Sequence, residues 1–472
     1  MTNQQLILAI DQGTGSTKGL LVTENLEVFA QHQVAIDIES PQSGWVQQDA
    51  NQIWQSVAAN IDALVAAANG NEIVGLAITN QRESAVAWNK ITGEPIGAML
   101  GWQDRRTSPR LDDFSEAQKA RIQAITGLPL DPMFSALKFE WLLDKYDADR
   151  TRSRAGEIAL GTVDSWLLYK LTGEYRVELG NASRTQLLDI HSGDWSAELL
   201  ELFNVPIEAL PQLAASDSPS AELKTTKAKG LKVLAVLADS HAALFAHGSN
   251  IKATFGTGSS IMALSDKDAP GLVQTVAWQQ GDNIVTALEG NILSSGATVV
   301  WLGELLNATP SELAALAETA KPTEVNLVPA FGGLGAPWWD AEAQGVITGL
   351  TLSASRAEWA KAAFESIVLQ IEDVIAAVEA ATGEHISEVS VDGGPTSNDW
   401  LMQLMADYSK RKITKNDIPE LSAIGVAKFA RANLQTSPHT TSYSPKISAG
   451  EADERKASWH EAVTQSRMQR SN

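Results

Sequence analysis

Residues Leu6–Val22 read LILAIDQGTGSTKGLLV. The apolar run Leu6–Ile10 predicts a buried strand. It delivers Asp11 into a turn made of Gly13, Thr14, Gly15, Ser16 and Thr17, and a second apolar run begins at Gly19. The pattern is a hairpin, not a strand feeding a helix. Glycines let the main chain approach an anion closely, successive N–H groups in a tight turn form an anion-binding concavity, and the hydroxyls and Lys18 add donors. A plain Gly-rich hairpin turn has the same composition, so both readings stand for this stretch taken alone. Its spacing is neither G-x4-G-K-S/T nor GxGxxG, which excludes the two best-known phosphate loops.

A second stretch of the same kind lies about half a chain later. Lys252–Leu264, KATFGTGSSIMAL, again sets a Gly-Thr-Gly-Ser turn between apolar strand-like runs. Two phosphate hairpins in two halves predict two related domains closing on one nucleotide. That layout resembles the actin-like, ribonuclease H-like ATPases, in which each domain presents one hairpin to the phosphates. The expected fold is therefore α/β, with two actin-like domains spanning residues 1–246 and 247–472 and an interdomain cleft. The first carries one phosphate hairpin and the second the other.

Composition sets outer bounds. At 472 residues the chain exceeds one core and suits two or three domains. A formal charge of −21 argues against nucleic acid or an anionic membrane as partner and favours a neutral second substrate. The charge also serves solubility alone. With 0 cysteines, disulfides, thiolate metal sites and thiol nucleophiles are excluded, and the 7 histidines show no metal-ligand spacing. The start MTNQQ has no basic leader region and no apolar stretch approaches the ~20 residues needed to cross a bilayer. A cytoplasmic protein is the expectation.

Further along, Ile53, Val57, Ile61, Leu64 and Val65 define one helix face ending near Gly70, and Val74–Ile78 reads as a strand. Asn80, Gln81, Arg82, Glu83 and Ser84 then sit at a strand exit, where open α/β sheets bind ligands. Arg82 as donor and Glu83 as acceptor suit a polyhydroxylated ligand, and a surface ion pair fits them equally. Leu231–Ala238 reads as a strand ending at Asp239, which is a helix N-cap, a positioned base, or both. Ser355 with Glu358 predicts a capping box before a long helix whose apolar face runs from Phe364 to Val378, and Thr309-Pro310-Ser311-Glu312 predicts another helix start. Ser437–Gly450 reads as an exposed loop and Glu451–Met468 as a mixed-charge terminal helix.

Several stretches together resemble the FGGY family of carbohydrate kinases, and within it the glycerol kinases. They are residues 75–107 (GLAITNQRESAVAWNKITGEPIGAMLGWQDRRT), Met133–Lys145 (MFSALKFEWLLDK), Gly161–Gly173, Asn181–Thr185 (NASRT), Val328–Gly349, Gly345–Glu365, Asp392-Gly393-Gly394 with Asn398, and Pro419–Gly425 (PELSAIG). The first family signature departs at Lys145 and the second at Trp359. The resemblance spans almost the whole chain.

It implies an ATP-dependent kinase acting on a primary hydroxyl of a small neutral polyol or sugar. Asp239 would be the general base, and Asp11 would lie near Mg2+ and the transferred phosphate. Gln12, Gly13, Thr14, Ser16 and Lys18 would line the phosphates from one side and Gly256, Thr257 and Gly258 from the other. Gly296, Gly394 and Asn398 would hold the nucleotide's sugar and base, although Gly296 also reads as a turn glycine. Arg82, Glu83, Trp102 and Asp239 match the acceptor pattern of the glycerol kinases. Three positions depart from it: Met133 replaces a tyrosine donor, Ser240 a glutamine, and Ser260 a phenylalanine. Such changes redirect specificity, because unmet polar groups are costly. A larger polyol or ketose would fill the vacated space, with His241 either a new partner or a packed core residue. A pentulose or other sugar kinase of the same family is therefore the first alternative, and an actin-like ATPase switch with no metabolite substrate the second. Homodimers are common among the proteins that the chain resembles, and no stretch locates an interface.

Overall fold

The computed structural model describes residues 4–418, 420–431 and 440–468. Met1–Asn3 of the N-terminal stretch, Pro419 of PELSAIG and residues 437–439 of the expected loop lie outside the described residues. Contacts divide the chain into two compact units. The first takes Met1–Gly248, Gln274–Thr286 and Glu420–Ser437, and the second takes Ser249–Val273, Ala287–Pro419 and Pro438–Asn472.

In the first unit, β1 (Gln5–Gln12) and β2 (Ser16–Val22) form the hairpin expected from Leu6–Val22, with Asp11 opposite Lys18. β3 (Val28–Ala35) pairs antiparallel with β2. On the other side β4 (Glu72–Asn80) lies parallel to β1, and β5 (Val233–Ala238) lies parallel to β4. The five-stranded order is β5-β4-β1-β2-β3. Leu6–Ile10 are almost wholly buried, as a strand covered on both faces requires. The helix α1 (Ala50–Ala67) lays Ile53, Val57, Ile61 and Leu64 on this sheet, capped at its start by Asp49. Its polar residues on the same face brace the hairpin: Ser56 bonds Thr17 at 2.7 Å, and Asn60 donates to the Thr17 carbonyl at 3.1 Å. Gly19 lets α1 sit close: a Cβ there would come within 2.6 Å of Leu64 Cδ1, which would have to shift.

Three further helices of this unit position side chains discussed below: α2 (Ser135–Tyr146), the short α3 (Leu179–Ser183) and α4 (Asp239–His247). The helix Leu421–Ala430 packs along α4 so closely that a Cβ on Gly425 would meet the Ala242 carbonyl at 1.9 Å.

The second unit repeats the sheet. β6 (Ile251–Phe255) and β7 (Ser259–Leu264) form a hairpin, and β8 (Asn283–Ile292) adds antiparallel to β7. β9 (Glu388–Asp392) lies parallel to β6, and β10 (Lys412–Asn416) lies parallel to β9. The echo between the two hairpins thus extends to a whole antiparallel-then-parallel sheet. α5 (Gly296–Leu306) and α6 (Arg356–Thr382) cover it; α6 opens on the expected Ser355/Glu358 capping box. Alongside its apolar face α6 also buries acids, each paired: Glu365 with Arg455 at 2.6 Å, and Asp373 with the Trp459 indole at 2.9 Å.

One expectation is overturned. Thr440–Tyr443, within the stretch read as a loop, form an edge strand β11 antiparallel to β10. Its two threonines and its tyrosine favour extended backbone, and its exposed side chains gave no apolar alternation to betray it. The terminal helix α7 covers Ala449–Arg467. Among the described residues, no helix is long and apolar enough to cross a membrane.

Candidate active site

The first turn is closed by Gly13 N–H donating to the Ser16 carbonyl at 3.0 Å. Behind it, buried glutamines take up the turn's carbonyls. Gln12 donates to the Gly13 carbonyl at 2.7 Å and Gln48 to that of Thr14 at 2.8 Å, while Gln81 donates to Gln48 at 3.1 Å. Gln12 is thus spent on shaping the turn. Trp102 reaches Thr14 through its indole N–H, donating to the hydroxyl at 3.1 Å, which joins the GWQDRRT segment to the turn. The rest of that segment holds itself in place: buried Asp104 pairs with Arg106 at 2.9 Å and accepts from Val46 N–H.

Asp11 and Asp239 face a common region of this unit. Burial, then the Asp239 carboxylate, push the Asp11 carboxyl up to about 7, with Lys18 opposing them and Glu420 adding to them. Lys18 is itself paired with Glu420 at 3.0 Å.

β5 ends at Ala238 and α4 starts at Asp239, with Ala238 as the N-cap and no side-chain cap bond. The capping reading of Asp239 therefore falls. The residue occupies the first helical position, its Oδ1 accepting from Ser240 N–H at 2.6 Å, where the helix dipole favours a carboxylate. Arg82 Nε lies 3.4 Å from that Oδ1 and 3.7 Å from Glu83 Oε1. Ser240 is half-buried beside Asp239, whereas His241 is wholly buried within α4, as a packed core residue would be.

Glu83 is the strained member of the group. Its φ is +61°, a left-handed conformation that costs a non-glycine residue of order 1–3 kcal/mol. Its carboxylate accepts from Arg184 Nε at 2.7 Å, and its carbonyl accepts from Ser135 Oγ at 3.1 Å and Lys138 Nζ at 3.0 Å. Lys138 also donates to the Met133 carbonyl at 2.6 Å. Met133 is half-buried, its N–H held by Asp131 at 2.7 Å.

In the second unit the turn Gly256–Gly258 is seated on the start of α5. Gly296 N–H donates to Gly256, and Ser295 and Ala297 N–H groups to Thr257, at 2.9 to 3.0 Å. A Cβ on Gly296 would come within 2.6 Å of the Gly256 carbonyl, so no side chain fits there. Gly393, at φ +100°, lies against the end of β6, where a Cβ would sit 2.0 Å from the Phe255 carbonyl. Gly394 follows with open space around it, and Asn398 caps the helix Asp399–Ser409 by accepting from Leu401 N–H at 3.1 Å. Ser260 donates to buried Glu289 at 3.3 Å.

Within the first unit the structure therefore brings together Asp11, Lys18, Arg82, Glu83 and Asp239, and links Thr14 with Trp102. Within the second it brings together Gly256, Thr257, Gly258 and Gly296. Sequence reading missed Gln48, Lys138, Arg184 and Glu420 as members. A lysine inside the apolar run ALKFEWLL was a usable signal for Lys138. Glu420 gave none, since it meets Lys18 across 402 positions.

No group of three or more potential ligands that could hold a metal ion is found among the described residues. Mg2+ commonly keeps one or two protein carboxylates and takes its remaining ligands from water and phosphate. Asp11, whose carboxylate is disfavoured first by burial and then by the Asp239 carboxylate, fits such a cation.

Two family models match the chain: the N-terminal domain of the FGGY family of carbohydrate kinases over residues 6–246, and its C-terminal domain over residues 251–434. A glycerol kinase from Burkholderia ambifaria is 38% identical, covering 97% of both chains, and one from Burkholderia vietnamiensis is 40% identical over 90% of this chain and 89% of its own. The crystal structure of Plasmodium falciparum glycerol kinase with ADP matches with a TM-score of 0.93 at 25% identity, covering 99% of each chain. A xylulose kinase from Rhodospirillum rubrum shares the fold with a TM-score of 0.86 at 22% identity, covering 98% of each. The chain belongs to the FGGY family of carbohydrate kinases and is a sugar or polyol kinase.

Proposed function

We propose that this kinase transfers the γ-phosphoryl group of ATP to a primary hydroxyl of glycerol or a closely related polyol, with Asp239 as general base. The observation that carries the reading is the Asp239–Arg82–Glu83 group at the exits of two neighbouring parallel strands, with Asp11 within electrostatic reach of Asp239. Asp239 would accept the hydroxyl proton as that oxygen bonds to the γ-phosphorus and the bond to ADP breaks. Phosphoryl transfer asks the protein mainly to position reactants and balance charge, and a positioned base contributes roughly 10²–10⁴-fold. Arg82 and Glu83 would donate to and accept from acceptor hydroxyls, with Trp102, Met133 and Ser240 alongside. The turns at Gly13–Lys18 and Gly256–Gly258 would take the phosphates, and Gly296, Gly394 and Asn398 the nucleoside. Asp11 would hold Mg2+, which supplies charge neutralisation on the phosphates when bound.

A larger acceptor, such as a pentulose, is the second reading. It is favoured by Met133, which offers no side-chain hydroxyl, and by Ser260, which is small and already bonded to Glu289. A coupled assay across glycerol, tetritols, pentitols and ketoses ranks the two. The decisive variant is Asp239→Asn, which should abolish transfer to every acceptor while leaving folding and nucleotide binding intact; retained turnover overturns the assignment. Acceptor-stimulated release of ADP separates a metabolite kinase from a nucleotide switch.

A further inference from the structure

We infer that Lys138 is a positioning residue for the acceptor site, bracing Glu83 and Met133 together through their main-chain carbonyls. The inference rests on the reading above that those two residues contact the acceptor.

A fully buried lysine is expensive, and its ammonium normally finds a carboxylate. Lys138 instead spends its donors on two carbonyls, 3.0 Å from Glu83 and 2.6 Å from Met133. The two residues lie 50 positions apart in sequence and on separate segments. An apolar side chain at position 138 would suit the surrounding core of α2, where Leu137, Phe139, Leu142 and Leu143 are all buried. Stability of that core therefore gives no reason for a lysine there.

Geometry does give one. The carbonyl of Glu83 points inward because the residue is held at φ +61°, and a left-handed residue persists only where its surroundings over-determine it. Lys138 and Ser135, both from the first turn of α2, bond this carbonyl from one side, while Arg184 holds the carboxylate of the same residue. The brace thus fixes where the Glu83 side chain starts, and Arg184 where it ends. Ala136 N–H donates to the Thr185 carbonyl at 2.8 Å, tying the Arg184 segment to α2 as well. Removing the amine takes its donor from the Met133 carbonyl, leaves the Glu83 carbonyl to Ser135 alone, and frees Glu83 to relax toward ordinary φ. The acceptor, not the nucleotide, should feel the change.

The test is steady-state kinetics with the best acceptor from the panel, on Lys138→Met, Glu83→Gln and the double variant. Lys138→Met should raise the acceptor KM by about 5- to 100-fold, the equivalent of one unmet acceptor, with the KM for ATP within about twofold of wild type. If Lys138 acts through Glu83, the double variant should be no worse than about the weaker single, so the two effects fail to add. Equal shifts of both KM values, an unchanged acceptor KM, or additive effects overturn the inference. Should Lys138→Met not fold, Ser135→Ala removes one donor to the same carbonyl and carries the same cycle with a smaller shift. An unchanged acceptor KM in Glu83→Gln overturns the acceptor-site reading itself, which distinguishes its failure from that of the brace.

Discussion

Lys18 and Glu420 form an ion pair at 3.0 Å although 402 positions separate them. Lys18 lies on β2 just after the first turn, the one proposed to take phosphate, and Glu420 opens the helix that packs along α4. Both are partly exposed, so the pair adds at most about 1 kcal/mol to stability. Its larger consequence is for ligand binding, because a carboxylate on this lysine competes with a phosphate for it. Glu420→Gln should lower the KM for ATP by up to about fivefold, the kinetic equivalent of that pairing energy, while acceptor KM and unfolding temperature hold. A rise in the KM for ATP would show that Glu420 holds Lys18 in its working position instead.

The contact between Gly425 and Ala242 makes a second, steric prediction. The helix Leu421–Ala430 approaches α4 with no room for a methyl group, and Phe245 stacks edge-on against Phe429 at 4.7 Å to seal the contact. Gly425→Ala must push the two helices apart. Overpacking of this kind typically costs about 1–3 kcal/mol. Since α4 carries Asp239 at its first position, kcat should fall together with the midpoint of urea unfolding. Loss of stability with full kcat would mean that Asp239 is held by β5 alone.

These two contacts mark the limit of what the chain order discloses. The hairpins at Leu6–Val22 and Lys252–Leu264 are legible because a local rule decides them: apolar runs of strand length around a glycine turn. The capping boxes of Ser355 and Thr309 are legible for the same reason, each being a side chain and an N–H three residues apart. Gly425 was visible only as a motif letter; the reason for it is a helix nearly two hundred positions away. Arg184 and Lys138 lay within quoted stretches, yet their partner, Glu83, depends on a left-handed backbone that no pattern announces. Asp239 reads as a cap, a base or both because both occur at strand-to-helix junctions, and one residue of helix phase removes the cap. Local signals thus gave the scaffold, and long-range closure gave the members that brace the site.

Gly296 and Gly394 separate two kinds of glycine. At position 296 a methyl group would collide with the Gly256 carbonyl at 2.6 Å, so Gly296→Ala should lower stability and raise the KM for ATP together. At position 394 nothing lies within 4 Å, so Gly394→Ala should leave unfolding unchanged within about 0.5 kcal/mol. Any rise in its KM for ATP then reports contact with the nucleotide rather than damage to the fold. An unchanged KM in Gly394→Ala would remove that residue from the nucleotide site.

Burial of Lys138 predicts a pH dependence of stability with a defined sign. Loss of solvation lowers its pKa from 10.5 to about 7, against the attraction of Glu83, Asp104 and Asp131. Between those two values the unfolded chain holds the proton and the folded chain does not, so unfolding takes up a proton and stability rises with pH. The limit is about 1.4 kcal/mol per pH unit over that window for one group, reached only if the shift is fully expressed. Other titrating groups contribute to both proteins and cancel in a difference. Urea unfolding of wild type and Lys138→Met at pH 7, 8 and 9 should therefore show the wild type gaining on the variant as pH rises. A difference that stays flat would mean that the folded protein keeps the ammonium, with its charge balanced by the surrounding carboxylates, and that the two carbonyls are held by a full cation.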